Sequence, residues 1–253
     1  MAVISIKKIA FIIRRGAASL YLSYIKYRNC IIGKLNNKHR FYAEFFTDRY
    51  IRKNFFPDFS YQGRMVEVGC ATPELLSMSK HFRDCGWRCI GIEPNPHFVA
   101  LHRACNNEVY QYAAADFEAD NYDFVVVEAG ADYSEHQLSA HSYSSLSIKP
   151  EYAEYKRGAL AYFNQSKIKV RVRRLDQIIE NHCEGISKID LLVIDVEGYE
   201  IEVMKGFSPE RYKTKVIVME NLFHNNSYTE YMQSIGYKLH SKVKYNYIYV
   251  PDA

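Results

Sequence analysis

The chain has 253 residues, 48% of them apolar and 25% charged, enough to bury one substantial core and too ordinary a balance for a disordered or fibrous protein. Its formal net charge of +4 hides an asymmetry, because Met1 to Tyr42 carries nine Lys or Arg and no acidic residue, and the rest of the chain is net acidic. Six cysteines without paired CxxC spacing exclude a disulfide scaffold and a zinc module; reduced, mostly buried thiols in a cytoplasmic protein are expected.

The basic leader interleaves Ile4, Ile6, Ile9, Phe11, Ile12, Ile13, Leu20, Tyr21, Tyr24 and Ile25 with its cations, the pattern of a basic amphipathic helix. Arg14 and Arg15 interrupt the apolar run well short of the roughly 20 residues a bilayer span needs, and they cut a secretory core at the same place. Three readings stay open for it: a lid on the body, a homodimer contact, or peripheral attachment to an anionic membrane. No nucleic-acid recognition motif accompanies the charge, so nucleic acid is not expected as a partner. Residues 1–60 read as a basic helical extension and 61–253 as one domain, with an insertion at about 120–170.

From Arg64 onward, short apolar runs alternate with helical stretches, the signature of a doubly wound α/β fold with a mostly parallel seven-stranded sheet. RMVEVG is the first strand, and Pro73 predicts a helix from Glu74 to Phe82. RCIGIE is the second strand, followed by a helix opened by Pro96 with Phe98, Leu101, His102 and Cys105 on one face. EVYQYAAAD is the third strand. Asp123 to Glu128 is strand-like and leads into a Ser- and Tyr-rich passage of the kind that covers an active site. Alternating Ile168, Val170 and Val172 mark a half-exposed strand, and Leu175 to Asn181 a short helix. IDLLVID reads as a central strand buried on both faces. Tyr199 to Lys205 is helical, KVIVME a strand, Thr229 to Ser234 a helix, and YKLHSKV with YNYIYV an antiparallel hairpin at the sheet edge.

Ligands of open parallel sheets bind at the carboxyl ends of the strands, so the polar residues after each apolar run are the candidates. They are Glu67 to Thr72, Glu93, Asn95, Asp116, Asp195, Glu197 and Glu220. VEVGCATP offers a tight turn at Gly69 but not the further glycines that cradle a pyrophosphate, which argues against a dinucleotide oxidoreductase. Glu93, ending the second strand, suits the two hydroxyls of a ribose. Asp195, at the centre of the sheet, is the first choice for a general base and His224 the second. Asp195, Glu197 and Glu220 also suit a hard divalent ion such as Mg²⁺, held as the less favoured alternative to a metal-free site.

LLVIDVEGYEIEVMKGF followed by KVIVMEN, together with IEPNP, LDQII and the SSL at Ser144 to Leu146, resembles the FkbM-type methyltransferases from about Met65 to Leu222. The resemblance implies a Rossmann-like class I methyltransferase fold with S-adenosylmethionine bound over Glu67, Gly69, Cys70, Ala71, Glu93, Pro94 and Asn95, and with Asp116 near the adenine. It further implies acceptor chemistry at Asp195, Glu197, Glu220 and Ser145. The expected reaction is O-methylation of a sugar or glycan hydroxyl, a lipid-linked glycan included. The alternatives are a small natural-product hydroxyl as acceptor, or a protein that binds S-adenosylmethionine or a nucleoside without turnover.

Overall fold

A computed structural model describes residues 40–129, 144–146, 150 and 163–252. Nearly all of the basic leader, and the middle of the expected insertion, lie outside these residues.

The first described element is a short 3₁₀ turn at Glu44–Phe46, which runs into α1 (Thr47–Phe55). Then follow β1 (Arg64–Val68), α2 (Lys80–Asp84), β2 (Arg88–Ile92), α3 (Pro96–Ala104), β3 (Glu108–Tyr110), β4 (Ala113–Ala114) and the long β5 (Ala119–Ala129). After the undescribed stretch come β6 (Phe163–Arg173), α4 (Leu175–His182), β7 (Leu191–Ile194), α5 (Glu200–Lys205), β8 (Val216–Glu220), α6 (Asn226–Ser234), β9 (Tyr237–Val243) and β10 (Asn246–Pro251).

The main sheet has seven strands in the order β3-β2-β1-β7-β8-β10-β9. The first five run parallel, and β10 returns antiparallel to β8, with β9 outside it. Successive residues of the central strands feed opposite faces. Val66, Val68, Leu192, Ile194, Ile217 and Met219 pack under α4, α5 and α6, whereas Met65, Leu191, Val193, Val216 and Val218 pack against Ile51 of α1, Phe82 of α2 and Trp87. That two-sided cover is why β7 is apolar at every position. The expected doubly wound fold is the one observed.

Helix α1 is therefore part of the body, since Ile51 is fully buried in that second core and Phe56 lies beside it. The boundary expected at residue 60 falls inside the packed unit.

Three elements differ from the sequence-based expectation. Helix α2 starts at Lys80 rather than Glu74, because residues 73–79 are held open: Leu76 takes a left-handed conformation and bridges to Ala43, while Glu67 accepts hydrogen bonds from Met78 N and Ser79 Oγ. The third strand is split, with Glu108–Tyr110 on β2 and Ala113–Ala114 on β6 of a second sheet ordered β4-β6-β5. In α3 the buried face is Phe98, Val99 and His102, and Leu101 and Cys105 are exposed.

The second sheet has its own core of Ala113, Ala115, Phe124, Val126, Val170 and Val172, joined by Leu146. The alternation read at Ile168, Val170 and Val172 is the inward face of β6. Among the described residues no helix is long and apolar enough to cross a membrane.

Candidate active site

The strand order reverses at β1, which has β2 on one side and β7 on the other. A crevice must open there at the carboxyl ends, because the connections leave in opposite directions. A cavity of about 280 Å³ occupies it. Val68, Gly69 and Ala71 contribute from β1, Glu93 and Pro94 from β2, Asp195 to Glu197 from β7, and Glu220 and Leu222 from β8. The second sheet closes one side with Ala113, Ala114, Phe124, Ser144 and Leu146, and Phe98, Tyr112, Tyr199 and Tyr245 add aromatic walls.

Gly69 is indispensable to this geometry. Its φ is +82°, and a Cβ placed there would stand 1.9 Å from the Asp195 carbonyl oxygen. The ends of β1 and β7 thus touch through backbone alone, with Asp195 N donating to Val68 O at 3.0 Å. Non-glycine residues in left-handed conformations also gather here, Ala71 at φ 41° and Glu197 at φ 59°. Such strain persists only where surrounding contacts over-determine it.

Glu93 is 5% exposed and receives Ala71 N at 3.0 Å on one oxygen and Asn95 N at 2.8 Å on the other. Burial pushes its pKa up to about 7 against those two donors, with the nearby charge of Glu67 adding to the rise. Each oxygen keeps acceptor capacity toward the cavity. Asn95 accepts from His97 N as the cap of α3 and is not among the cavity-lining residues. Cys70 is buried against Val99 and Val109 and, with Glu67, borders a smaller adjoining cavity. Glu67 spends its carboxylate on Met78 and Ser79, so it shapes the loop.

Asp195 stands at the floor of the cavity, open to its interior yet enclosed by protein. That enclosure, and then the charges of Glu197, Glu200, Glu44 and Glu67, hold its pKa well above the ordinary carboxylate range. Glu220 is raised in the same way, first by burial and then by Asp195 and Glu197, and its Oε2 is buried without a hydrogen-bond partner. Asp195, Glu197 and Glu220 each present an oxygen within 4.8 Å of the others, a spacing one cation could bridge. Glu200 ties the turn itself: Oε1 accepts from Val196 N and Gly198 N, and Oε2 from the Tyr228 hydroxyl at 2.6 Å.

Besides Asn95, three further expected residues lie outside the cavity lining. Asp116 is exposed and outside the lining, its carbonyl held by Arg174; Tyr112, Ala113 and Ala114 line that side of the cavity. His224 is exposed and turned to the Tyr247 hydroxyl at 3.0 Å. Ser145 is buried and directs its Oγ to the carbonyls of Val196 and Glu197 at 3.4 Å, pinning the second sheet to the β7 turn, while Ser144 faces the cavity. Glu44, Tyr112, Phe124, Tyr199 and Tyr245 were not foreseen as site residues; their sequence surroundings follow no strand-end rule that would have marked them.

The methyltransferase FkbM domain matches residues 67–247. The chain belongs to the FkbM methyltransferase family. The match begins at Glu67 in β1 and ends at Tyr247 in β10, so it takes in every strand-end residue of the cavity and leaves out α1 and Glu44. Among curated proteins, "Methyltransferase sdnD" of Sordaria araneosa is 36% identical over 53 residues, a stretch covering 19% of this chain and 20% of that protein. Members of this family are methyltransferases, in general dependent on S-adenosylmethionine. The residues present fit such a cofactor: Gly69 clears the backbone approach, Glu93 offers acceptors for hydroxyls, and Pro94, Phe98 and Tyr112 give an apolar bed.

Proposed function

We propose that this FkbM methyltransferase transfers a methyl group to a hydroxyl of a sugar or glycan. The observation that carries this reading is Asp195, a carboxylate of raised pKa on the cavity floor, one strand away from the Gly69–Glu93 edge suited to the cofactor. Bound there, S-adenosylmethionine supplies an electrophilic methyl group. Gly69, Ala71, Glu93 and Pro94 hold the cofactor side of the cleft, and the Glu197-Gly198 turn with Glu220 and Ser144 orients the acceptor. Asp195 takes the hydroxyl proton on its carboxylate, and a pKa held above the ordinary carboxylate range by burial and neighbouring acids makes the ionised group a stronger proton acceptor than an ordinary aspartate. Positioning supplies much of the remaining acceleration. The aromatic walls suit the faces of a saccharide ring.

A second reading rests on the three oxygens within 4.8 Å of one another: a divalent ion at Asp195, Glu197 and Glu220 would lower the acceptor's pKa and replace Asp195 as activator. The assay is methyl transfer to a glycan panel with and without a chelator. Asp195→Asn is expected to lower kcat by about 100-fold or more with S-adenosylhomocysteine binding retained. Full activity in that variant rules Asp195 out as the base, and loss of activity on chelation favours the metal.

A further inference from the structure

Glu44 lies 23 residues before the start of the matched domain, yet it lines both the main cavity and the smaller one, alongside Asp195 and Glu220. Its placement is built in. Asp48 Oδ2 accepts from Tyr42 N and Ala43 N, Ala43 bridges to Leu76, and Thr47 Oγ1 donates to the Glu44 carbonyl at 2.9 Å. Asn246 Nδ2 donates to Thr47 Oγ1 from the start of β10, and Phe45 meets Tyr245 edge to face. Phe45 and Phe46 are both left-handed, at φ 52° and 56°. The strap is thus fastened to the loop after β1 and to the β9–β10 turn, and it delivers one carboxylate to the cleft.

With Glu44 in place, Asp195, Glu197 and Glu220 are joined by a fourth acid on the acceptor side, Glu93 and Glu67 line the cofactor side and the smaller cavity, and no Lys, Arg or His is among the described residues lining either cavity. Glu220 Oε2 remains buried without a partner. Such a pocket gains from any positive charge brought by its occupant and repels a negative one. The same cavity presents the rings of Phe98, Tyr112, Phe124, Tyr199 and Tyr245. Ring faces attract an organic ammonium and pack on the ring that bears it, whereas a hydrated metal ion gains little from them.

We propose that Glu44 is a specificity-determining residue of the acceptor pocket, selecting an acceptor that carries a protonated amino group beside the methylated hydroxyl, as in an amino sugar, over uronic acids and sugar phosphates. This rests on the reading of the cavity as a sugar methyltransferase site. Glu44 acts on the choice of acceptor and leaves cofactor binding to the Gly69–Glu93 side.

The test is an NMR titration of the full chain, saturated with S-adenosylhomocysteine in EDTA at pH 7, with glucosamine, glucose and glucuronate. Glucosamine is expected to bind about 10-fold more tightly than glucose, and glucuronate more weakly than either. Glu44→Gln should cut the preference for glucosamine by about 5-fold with unchanged S-adenosylhomocysteine affinity, and Glu44→Asp should restore part of it. Equal binding of the three sugars, no binding of any, a preference for glucuronate, or an unchanged preference in Glu44→Gln overturns the proposal. Failure of S-adenosylhomocysteine to bind at the outset is a separate result, which removes the underlying methyltransferase-site reading and this inference with it.

Discussion

On the proposed reading of the cleft, the buried carboxylate of Glu93 ties cofactor binding to pH. Its pKa in the folded protein is raised to about 7 from an ordinary value of 4.5. The folded state therefore holds this proton more tightly than the unfolded state, and the group's contribution to stability declines as pH rises from about 4.5 to about 7. Hydroxyl donors prefer the ionised form, so S-adenosylhomocysteine affinity is expected to rise with pH across that window and level off above it. Isothermal titration between pH 5 and 8 reads this directly; in Glu93→Gln the profile should be flat and the binding weak. Gly69 admits no such gradation. Gly69→Ala meets the Asp195 carbonyl and a positive φ together, so a loss of about 2 kcal/mol or more of stability is expected in chemical denaturation. An unchanged midpoint would contradict the close approach of β1 to β7.

Among elements, the turn from β7 into α5 illustrates what local sequence reveals and what it leaves out. IDLLVID marks a doubly covered strand by composition alone, and Asp195 at its end follows from the rule that ligands gather there. The Glu197-Gly198 bend was legible from the glycine. The role of Glu200 as acceptor for two backbone N–H groups and for Tyr228 was not, because Tyr228 is 28 residues away on α6. Tyr228→Phe leaves a buried carboxylate oxygen short of its donor, and a cost of about 2 kcal/mol is expected from urea unfolding. The same limit explains α2: Pro73 predicts a helix start locally, whereas the bridge from Leu76 to Ala43 and the bonds from Ser79 and Met78 to Glu67 are long-range ties that keep the loop open. The third strand divides because β6, more than 50 residues later, claims Ala113 and Ala114.

At the scale of the whole molecule, the mostly parallel sheet, its doubly covered central strand and the hairpin at its edge were readable from the apolar runs, but the meeting of Glu44 with Tyr245 over the site, 201 residues apart, was not. Helix α1 looks like the tail of a basic extension in composition, yet it completes the core with Ile51 and carries the strap that sets Glu44 beside Tyr245. A protein beginning at residue 61, the start expected for the body from its sequence pattern, should lose about 3 kcal/mol or more through the exposure of Met65, Trp87 and Val218, and its thermal unfolding should lose cooperativity. A two-state transition at the parent temperature would show α1 to be dispensable. The central claim is that the cleft between β1 and β7 is the cofactor site of a methyltransferase. Calorimetric titration of the full chain with S-adenosylhomocysteine tests it most directly: one site is expected, weakened about 10-fold or more by Glu93→Ala. No binding to the parent chain, or equal binding by Glu93→Ala, would contradict it.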